Sequence, residues 1–378
     1  MARVQCIGEM TMFQNLEIRN FRLFEYLKME KLGRINLLAG RNNSGKTSLL
    51  EALFLLCGMG NPEIVLMIKA FRGFGELVTP MAVREILLKP LFYHFNPNQS
   101  IEMISQNNSD SSIKLTIKVE SKNTVKLPLQ GQRLDTASSD RKDIIMIPPS
   151  MSSAGEDNVW SDSLHLLCKS DSGIIINEGY IHMGSHGMQV DVINRPVFPA
   201  IFLSTRGHNP REDATRLGDL RRRKQGALLV ETLKIMEPRL QALEENSVAG
   251  YPMIWGDIGL AELVPLSMMG EGMTRIARII LAISSAADGV VMVDEIENGI
   301  HYSVLEKVWG AIAAAAEHAK VQVFATTHSF ECMEAAHGAL GDKLMVHRIE
   351  QDREGKSRCI TLEAEGVAAA IRHGFEVR

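Results

Sequence analysis

Residues Gly40-Arg41-Asn42-Asn43-Ser44-Gly45-Lys46-Thr47 form a GxxxxGK[ST] run, with Ser48 directly after it. Glycines at these positions let backbone N–H groups turn inward around an anion. A helix opening at the lysine adds the positive end of its dipole. Lys46 then reaches β- and γ-phosphates, and the Thr47 hydroxyl can ligate Mg²⁺. Gly40, Asn42, Asn43, Ser44, Gly45, Lys46, Thr47 and Ser48 are the candidate phosphate-binding residues. A second run, Val290-Val291-Met292-Val293-Asp294-Glu295, places two carboxylates after four apolar residues. That pattern puts both acids at the C-terminal end of a buried strand, where open α/β sheets bind ligands. There Asp294 would hold Mg²⁺ and Glu295 would orient and deprotonate an attacking water. Taken alone, the same run also describes a strand entering a solvated acidic turn; its pairing with the glycine loop favours the chemical reading.

Two further elements are weaker by themselves. Leu266-Ser267-Met268-Met269-Gly270-Glu271-Gly272 directly precedes an amphipathic helix. Ser267 and Gly270 at a helix N-terminus form a second phosphate-binding surface, or Ser267 serves only as an N-cap. Thr326-Thr327-His328-Ser329 ends a strand, and His328 leaves the sheet on the same edge as Asp294, within approach of a γ-phosphate.

The elements that must carry these residues can be read from periodicity. Alternation across Phe13–Phe24 suits a half-buried strand. Arg34–Ala39 is a β-type run into Gly40, and Leu49, Leu50, Leu53, Phe54 and Cys57 recur at helical spacing after Thr47. Helices are expected near Pro62–Arg72 and Met81–Leu91, then antiparallel strands at Ile101–Ser105, Ile113–Val119 and Thr124–Leu129. Residues 131–172 are rich in Ser and Asp and read as a mobile insertion. Order resumes at Ile174–Ile181 and Val197–Ser204, and Gly226–Met236 is helical. Met273–Ala287, Ser303–His318 and the stretch from Ser329 read as helices around strands Val290–Val293 and Val321–Ala325, an αβαβα series that calls for a parallel sheet. The division expected is a tail at 1–11 and one domain over 12–378, in lobes 12–130 and 195–378.

These elements, in this order, resemble the ATP-binding cassette ATPase head, closer to the RecF/SMC/OLD-type ATPases than to transporters. Within that group the chain looks like the stand-alone bacterial ATPases called the AAA-fifteen family. The likeness rests on Leu16-Glu17-Ile18-Arg19-Asn20-Phe21-Arg22, Ile35–Leu38 running into the glycine loop, Asp294-Glu295-Ile296-Glu297-Asn298-Gly299-Ile300-His301, and Thr327-His328-Ser329. It implies an α/β P-loop NTPase fold, ABC-ATPase-like, with a mixed central sheet, an antiparallel β subdomain and a helical or insertion region. It further implies ATP and Mg²⁺ as ligands, and two heads that sandwich ATP between them as a homodimer or higher oligomer. Lys46 and Thr47 of one subunit would face Ser267 and Gly270 of the other. Glu295 would be the catalytic base, His328 the switch residue, and Asn298–His301 the cross-dimer turn. Thr47 and Asp294 would hold the metal. Ser267-Met268-Met269-Gly270-Glu271 departs from the LSGGQ of transporters, and the usual Q-loop glutamine is not identifiable, Gln99 being a weak candidate.

Composition bounds the setting. Lys and Arg total 41 against 45 Asp and Glu, a net charge of −4, so a globally basic nucleic-acid binder is not expected, although a local basic patch stays open. The five cysteines are widely spaced without CxxC, which argues against a zinc site or disulfide framework and for a reducing, cytoplasmic location. No apolar run is long enough to span a bilayer, so no membrane partner is expected. Arg206, Arg211, Arg216, Arg221, Arg222, Arg223 and Lys224 crowd one segment, which is either a DNA or RNA backbone contact or a solvated helical face. The function expected is ATP hydrolysis in which head dimerisation controls a partner effector, such as a nuclease or toxin, or engages nucleic acid, in phage defence or DNA maintenance. The alternative is an ATP-gated scaffold or sensor with little turnover. The stretch after His328 carries no DxD and little room for a metal-carboxylate nuclease domain, and an NKxD guanine-reading motif is absent.

Overall fold

A computed structural model describes residues 12–73, 85, 88–107, 111–121, 160–184, 187–193, 198–205 and 209–372. The first two strands, β1 (Leu16–Phe21) and β2 (Phe24–Met29), form a hairpin. The single strand expected over Phe13–Phe24 is therefore broken. Asn20 and Arg22 take left-handed φ values of 56° and 51°, and the chain reverses so that Phe21 and Phe24 pair across the turn, both buried. Strand β3 (Ile35–Ala39) leads through the glycine loop into helix α1 (Lys46–Cys57), followed by α2 (Glu63–Phe71). Strands β4 (Ile101–Gln106), β5 (Ser112–Ser121), β6 (Trp160–Ser170), β7 (Ile175–Gly184) and β8 (Gly187–Val192) complete an antiparallel sheet with order β2-β1-β4-β5-β6-β7-β8.

Strand β6 corrects the insertion expected over 131–172, because its residues pair with β5 and β7 along their length. Leu164, Leu166 and Cys168 alternate into the core. Leu167 on the opposite face blurs that alternation by joining Leu166 and Cys168 into one apolar triplet. Residues 122–159, the strand expected at Thr124–Leu129, most of the helix expected at Met81–Leu91, the tail at 1–11 and Arg206 lie outside the described residues.

The rest of the chain contributes β9 (Ala200–Leu203), α3 (Pro210–Arg222), α4 (Ala227–Leu233), β10 (Ala242–Val248), β11 (Tyr251–Asp257), β12 (Val264–Pro265) and α5 (Glu271–Ser285). Then follow β13 (Val290–Val293), α6 (Tyr302–His318), β14 (Gln322–Thr326), α7 (Phe330–Leu340), β15 (Leu344–Gln351), β16 (Ser357–Leu362) and α8 (Ala364–Arg372). Strands β10, β11 and β12 form a small separate sheet. The central sheet has the order β16-β15-β3-β14-β13-β9, parallel except for β16. The lobes expected at 12–130 and 195–378 therefore interleave: β3 lies between β14 and β15, and the antiparallel sheet continues to Val192.

Alternation along the parallel strands feeds two cores, as a period of two requires. Leu38, Val290, Met292 and Phe324 face the first core, which α1 shares with the antiparallel sheet. Leu37, Val291, Val293, Val323 and Ala325 face the second, which is filled by α3 to α7. Strand β13, buried on both faces, is uniformly apolar for this reason. The amide of Gln322, fully buried, locks the N-terminal stretch to the sheet. Its Nε2 donates to the Phe13 and Gly33 carbonyls at 2.9 and 2.8 Å, and its Oε1 accepts from the Phe13 N–H at 2.9 Å. All the parallel strands end on one edge, which brings Gly40, Ser204, Asp294 and Thr327 together in space.

Candidate active site

The glycine loop is shaped by what a side chain would strike. Gly40 has φ +145°, and a Cβ there would meet the Ile349 carbonyl oxygen at 2.5 Å. Gly45 has φ +101°, and a Cβ there would enter the Phe24 ring at 2.7 Å. Neither position tolerates another residue without moving β15 or the hairpin. Gly45 is also the N-cap of α1, and no side chain caps that end. Its first-turn N–H groups therefore stay available to an anion. Lys46 Nζ donates to the Gly40 and Arg41 carbonyls at 2.7 and 2.9 Å, arched back over the loop. Burial lowers the Lys46 pKa; Asp294, Glu297 and Glu295 act the other way and favour its charged form. The Ser44 hydroxyl is buried without a hydrogen-bond partner, an orphaned donor inside the loop.

Facing the loop, Asp294 collects two hydroxyls. Thr47 Oγ1 lies 3.1 Å from both carboxylate oxygens, and Thr326 Oγ1 donates to Oδ1 at 2.7 Å. Thr326 was not singled out in the sequence. It reaches Asp294 because β14 runs beside β13, between it and the glycine-loop strand. Burial raises the Asp294 pKa, the hydroxyls of Thr326 and Thr47 oppose that shift, and the charges of Glu295 and Glu51 add to it. The next residue, Glu295, adopts φ 49°, a sparsely populated conformation for a residue with a side chain. Its N–H donates to Thr326 Oγ1 at 2.7 Å, and Asn298 Nδ2 donates to its Oε2 at 2.6 Å.

Helix α5 braces this turn. Arg275, only 6% exposed, donates through Nη2 to the Asp294 carbonyl and, at 3.2 Å, to the Glu295 carbonyl. Burial chiefly lowers its pKa to about 10, with the neighbouring Arg278 charge adding to the shift and the nearby carboxylates opposing it. A Cβ on Gly272 would meet the Gly299 carbonyl oxygen at 2.6 Å, so the first turn of α5 lies against the turn that follows Glu295. Only the position of Arg275 in the turn after Gly270 could have pointed to it in the sequence. Ser267 and Gly270 are exposed at the start of α5, and Met268 beside them is 78% exposed. His328 lies at the same sheet edge, where its ring Nδ1 is 3.3 Å from Glu297 Oε1. Gln99 is exposed.

The basic segment is helix α3 and the residues after it. Arg216 reaches Glu212 and Asp213 at 3.1 and 3.3 Å, and Arg222 pairs with Asp219, while Arg221, Arg223 and Lys224 are exposed.

The residues fit a nucleoside triphosphate and a hard cation. The cradle excludes a Cβ at Gly40 and Gly45, Ser44 offers an unpaired hydroxyl, and Thr47 and Asp294 set oxygen donors side by side. Among the described residues, no group of three or more His, Cys, Asp or Glu gathers as a metal site. Nor, among them, is any helix long and apolar enough to cross a membrane.

Residues 12–175 match the family described as AAA ATPase domain, and residues 188–334 match that described as AAA domain, putative AbiEii toxin, Type IV TA system. A Helicobacter pylori protein named ATP/GTP phosphatase is 23% identical over 367 residues, covering 89% of this chain and 90% of that protein. The DNA replication and repair protein RecF of Nitrosococcus oceani is 48% identical over 46 residues, 12% of each chain. Among solved structures, an SMC head bound to the C-winged helix domain of ScpA aligns with TM-score 0.48 and 11% identity, over 94% of this chain and 99% of that one.

Proposed function

We propose that the chain is an ATPase that hydrolyses ATP at a site completed by a second copy of itself, and that closure of the two copies controls a partner, a reading supported by the two AAA family matches and the ATP/GTP phosphatase relative. The observation that carries the proposal is the meeting of Thr47 and Asp294 at 3.1 Å, with Glu295 next in sequence. The loop N–H groups, the Ser44 hydroxyl and Lys46 hold the β- and γ-phosphates. Lys46 exchanges its two carbonyl acceptors for phosphate oxygens. Thr47 and Asp294 would hold Mg²⁺, which would supply positive charge against the developing negative charge of the reaction. Glu295 accepts the proton of the attacking water, and Asn298 orients its carboxylate meanwhile. His328 lies at the γ-phosphate end. Ser267 and Gly270, with the N-terminus of α5, complete the γ-phosphate pocket of the opposing copy. Exposed Met268 supplies apolar contact on that face.

The proposed effector is a nuclease or toxin in a defence or DNA-maintenance setting; the Type IV TA system named in the family matched over 188–334 supports the defence setting. Nucleic acid, if it engages, meets exposed Arg221 and Arg223 more than the paired Arg222. Replacing Arg221, Arg222 and Arg223 together with Ala would then flatten the salt dependence of binding, and an unchanged slope would return them to a solvated face. The test of the catalytic assignment is Glu295→Gln. It should keep ATP bound in titration while phosphate release stops. Hydrolysis at the wild-type rate in that variant would overturn the role of Glu295. Tight ATP binding by the wild type with no phosphate release would favour the scaffold.

A further inference from the structure

Two glutamates follow Asp294, and they are engaged in different ways. Glu295 is tied to Asn298. Glu297 Oε1 accepts from the His328 backbone N–H at 3.0 Å and lies 3.3 Å from the His328 ring Nδ1. We propose that Glu297, rather than Glu295, is the positioning residue that holds His328 in the site. The proposal rests on the reading of His328 as the residue at the γ-phosphate.

One carboxylate oxygen grips both the main chain and the ring of the same histidine. The main-chain bond fixes where β14 releases the chain. The ring contact sets which edge of the imidazole faces Glu297 and leaves Nε2 on the far side. A histidine oriented through one nitrogen so that the other can act is a recurring use of a carboxylate. Glu297 is not a solvated turn acid: its side chain is 10% exposed, and its Oε2 is buried without a hydrogen-bond partner. Its charge also acts on Lys46, which places it within electrostatic reach of the phosphate loop. His328 is itself 44% exposed. Burial does not hold its ring, so the grip of Glu297 must. Two neighbouring acids thus take two tasks, one on water and one on a histidine.

The experiment is a double-mutant cycle on the full chain, with kcat read by phosphate release and affinity by titration with a non-hydrolysable ATP analogue. His328→Ala should lower kcat about 10²-fold, a usual cost of removing one group that stabilises developing charge. Glu297→Ala should lower kcat comparably and leave analogue affinity within about threefold, since the phosphate contacts remain. Glu297→Gln retains an oxygen acceptor and should recover most of the rate. The double variant should be no slower than His328→Ala. Multiplied losses in the double variant, or wild-type turnover in Glu297→Ala, would overturn the proposal. Wild-type turnover in His328→Ala would instead remove the reading of His328 on which it rests. Should Glu297→Ala melt too early to assay, Glu297→Asp keeps the charge, withdraws the oxygens by one methylene and runs the same cycle.

Discussion

Asp294 is held in a state that its surroundings disfavour. Its carboxylate is buried and lies near Glu295 and Glu51, and together these raise its pKa against the two hydroxyls that donate to it. Its folded pKa thus lies above its unfolded one, so folding favours the protonated form. The stabilisation is complete below the ordinary carboxylate range and is lost as pH rises through the raised value; above that the ionised group costs stability. Asp294→Asn removes that charge. At pH 7.5 it should melt no lower than the wild type while phosphate release falls to background. A clear drop in melting temperature would show that the carboxylate stabilises the fold. At this scale the sequence was most legible where a motif fixes residue types by chemistry: Thr47 meets Asp294, and the charge of Asp294 acts on Lys46. Thr326 and Arg275 were not legible, because a threonine at a strand end and an arginine in an amphipathic helix have many ordinary uses. Only the order of strands in the sheet brings Thr326 beside Asp294.

Helix α5 and the turn after β13 behave as one piece. Arg275 joins them through two carbonyls, and the Gly272–Gly299 approach leaves no room for a side chain between them. Arg275→Met fills much of the volume but leaves the buried Asp294 carbonyl without its donor, while the Glu295 carbonyl keeps only the Asn298 N–H at 3.1 Å. It should cost about 1–3 kcal/mol in denaturant unfolding and lower kcat while ATP affinity holds. A variant that is less stable but turns over at the wild-type rate would restrict Arg275 to a packing role. At the far side of the sheet, His347 on β15 is fully buried, with Nδ1 3.0 Å from Thr361 Oγ1 and Nε2 3.3 Å from Asn36 Oδ1. Burial pushes its pKa down to about 4. Folding therefore favours the neutral ring, and its contribution is complete above the ordinary value of about 6.5. That contribution, up to about 3 kcal/mol, is lost as pH falls toward the folded value. Between pH 7 and 4.5 the wild type should lose more stability than His347→Gln. Equal losses in the two proteins would remove His347 from the account. Strands β15 and β16 were not legible in advance, because β16 has one side at the edge of the sheet and mixes Arg358 and Thr361 with Cys359 and Ile360. The uniformly apolar β13 and the i, i+4 recurrence of Leu49, Leu53 and Cys57 in α1 were legible, since nearly complete burial leaves a dense apolar signal.

For the molecule as a whole, the proposed site is split between copies, and complementation tests the split. Lys46→Ala and Ser267→Arg should each be inactive, the first without the phosphate charge and the second with bulk and charge on the closing face. Mixed together they form a heterodimer in which one of the two sites is wild type at both positions, and some phosphate release should return. Full activity in a demonstrably monomeric Ser267→Arg protein would place the whole site in one chain. The architecture itself was partly legible: an αβαβα series indicates a parallel sheet, but not that the chain leaves the antiparallel sheet for β3 and then returns to it. That interleaving bears on how the protein is made. Strand β3 emerges early, yet both of its neighbours come from the last part of the chain, where Val323 and Leu344 pair with Ile35. At about 5–20 residues per second, the ribosome leaves Ile35–Ala39 without its partner strands for roughly 15–60 s. An apolar five-residue strand with two open edges is in that interval a template for other nascent chains. Slower translation between β9 and β14 should therefore raise the aggregated fraction in proportion to the delay, and a chaperone that shields short apolar strands should lower it.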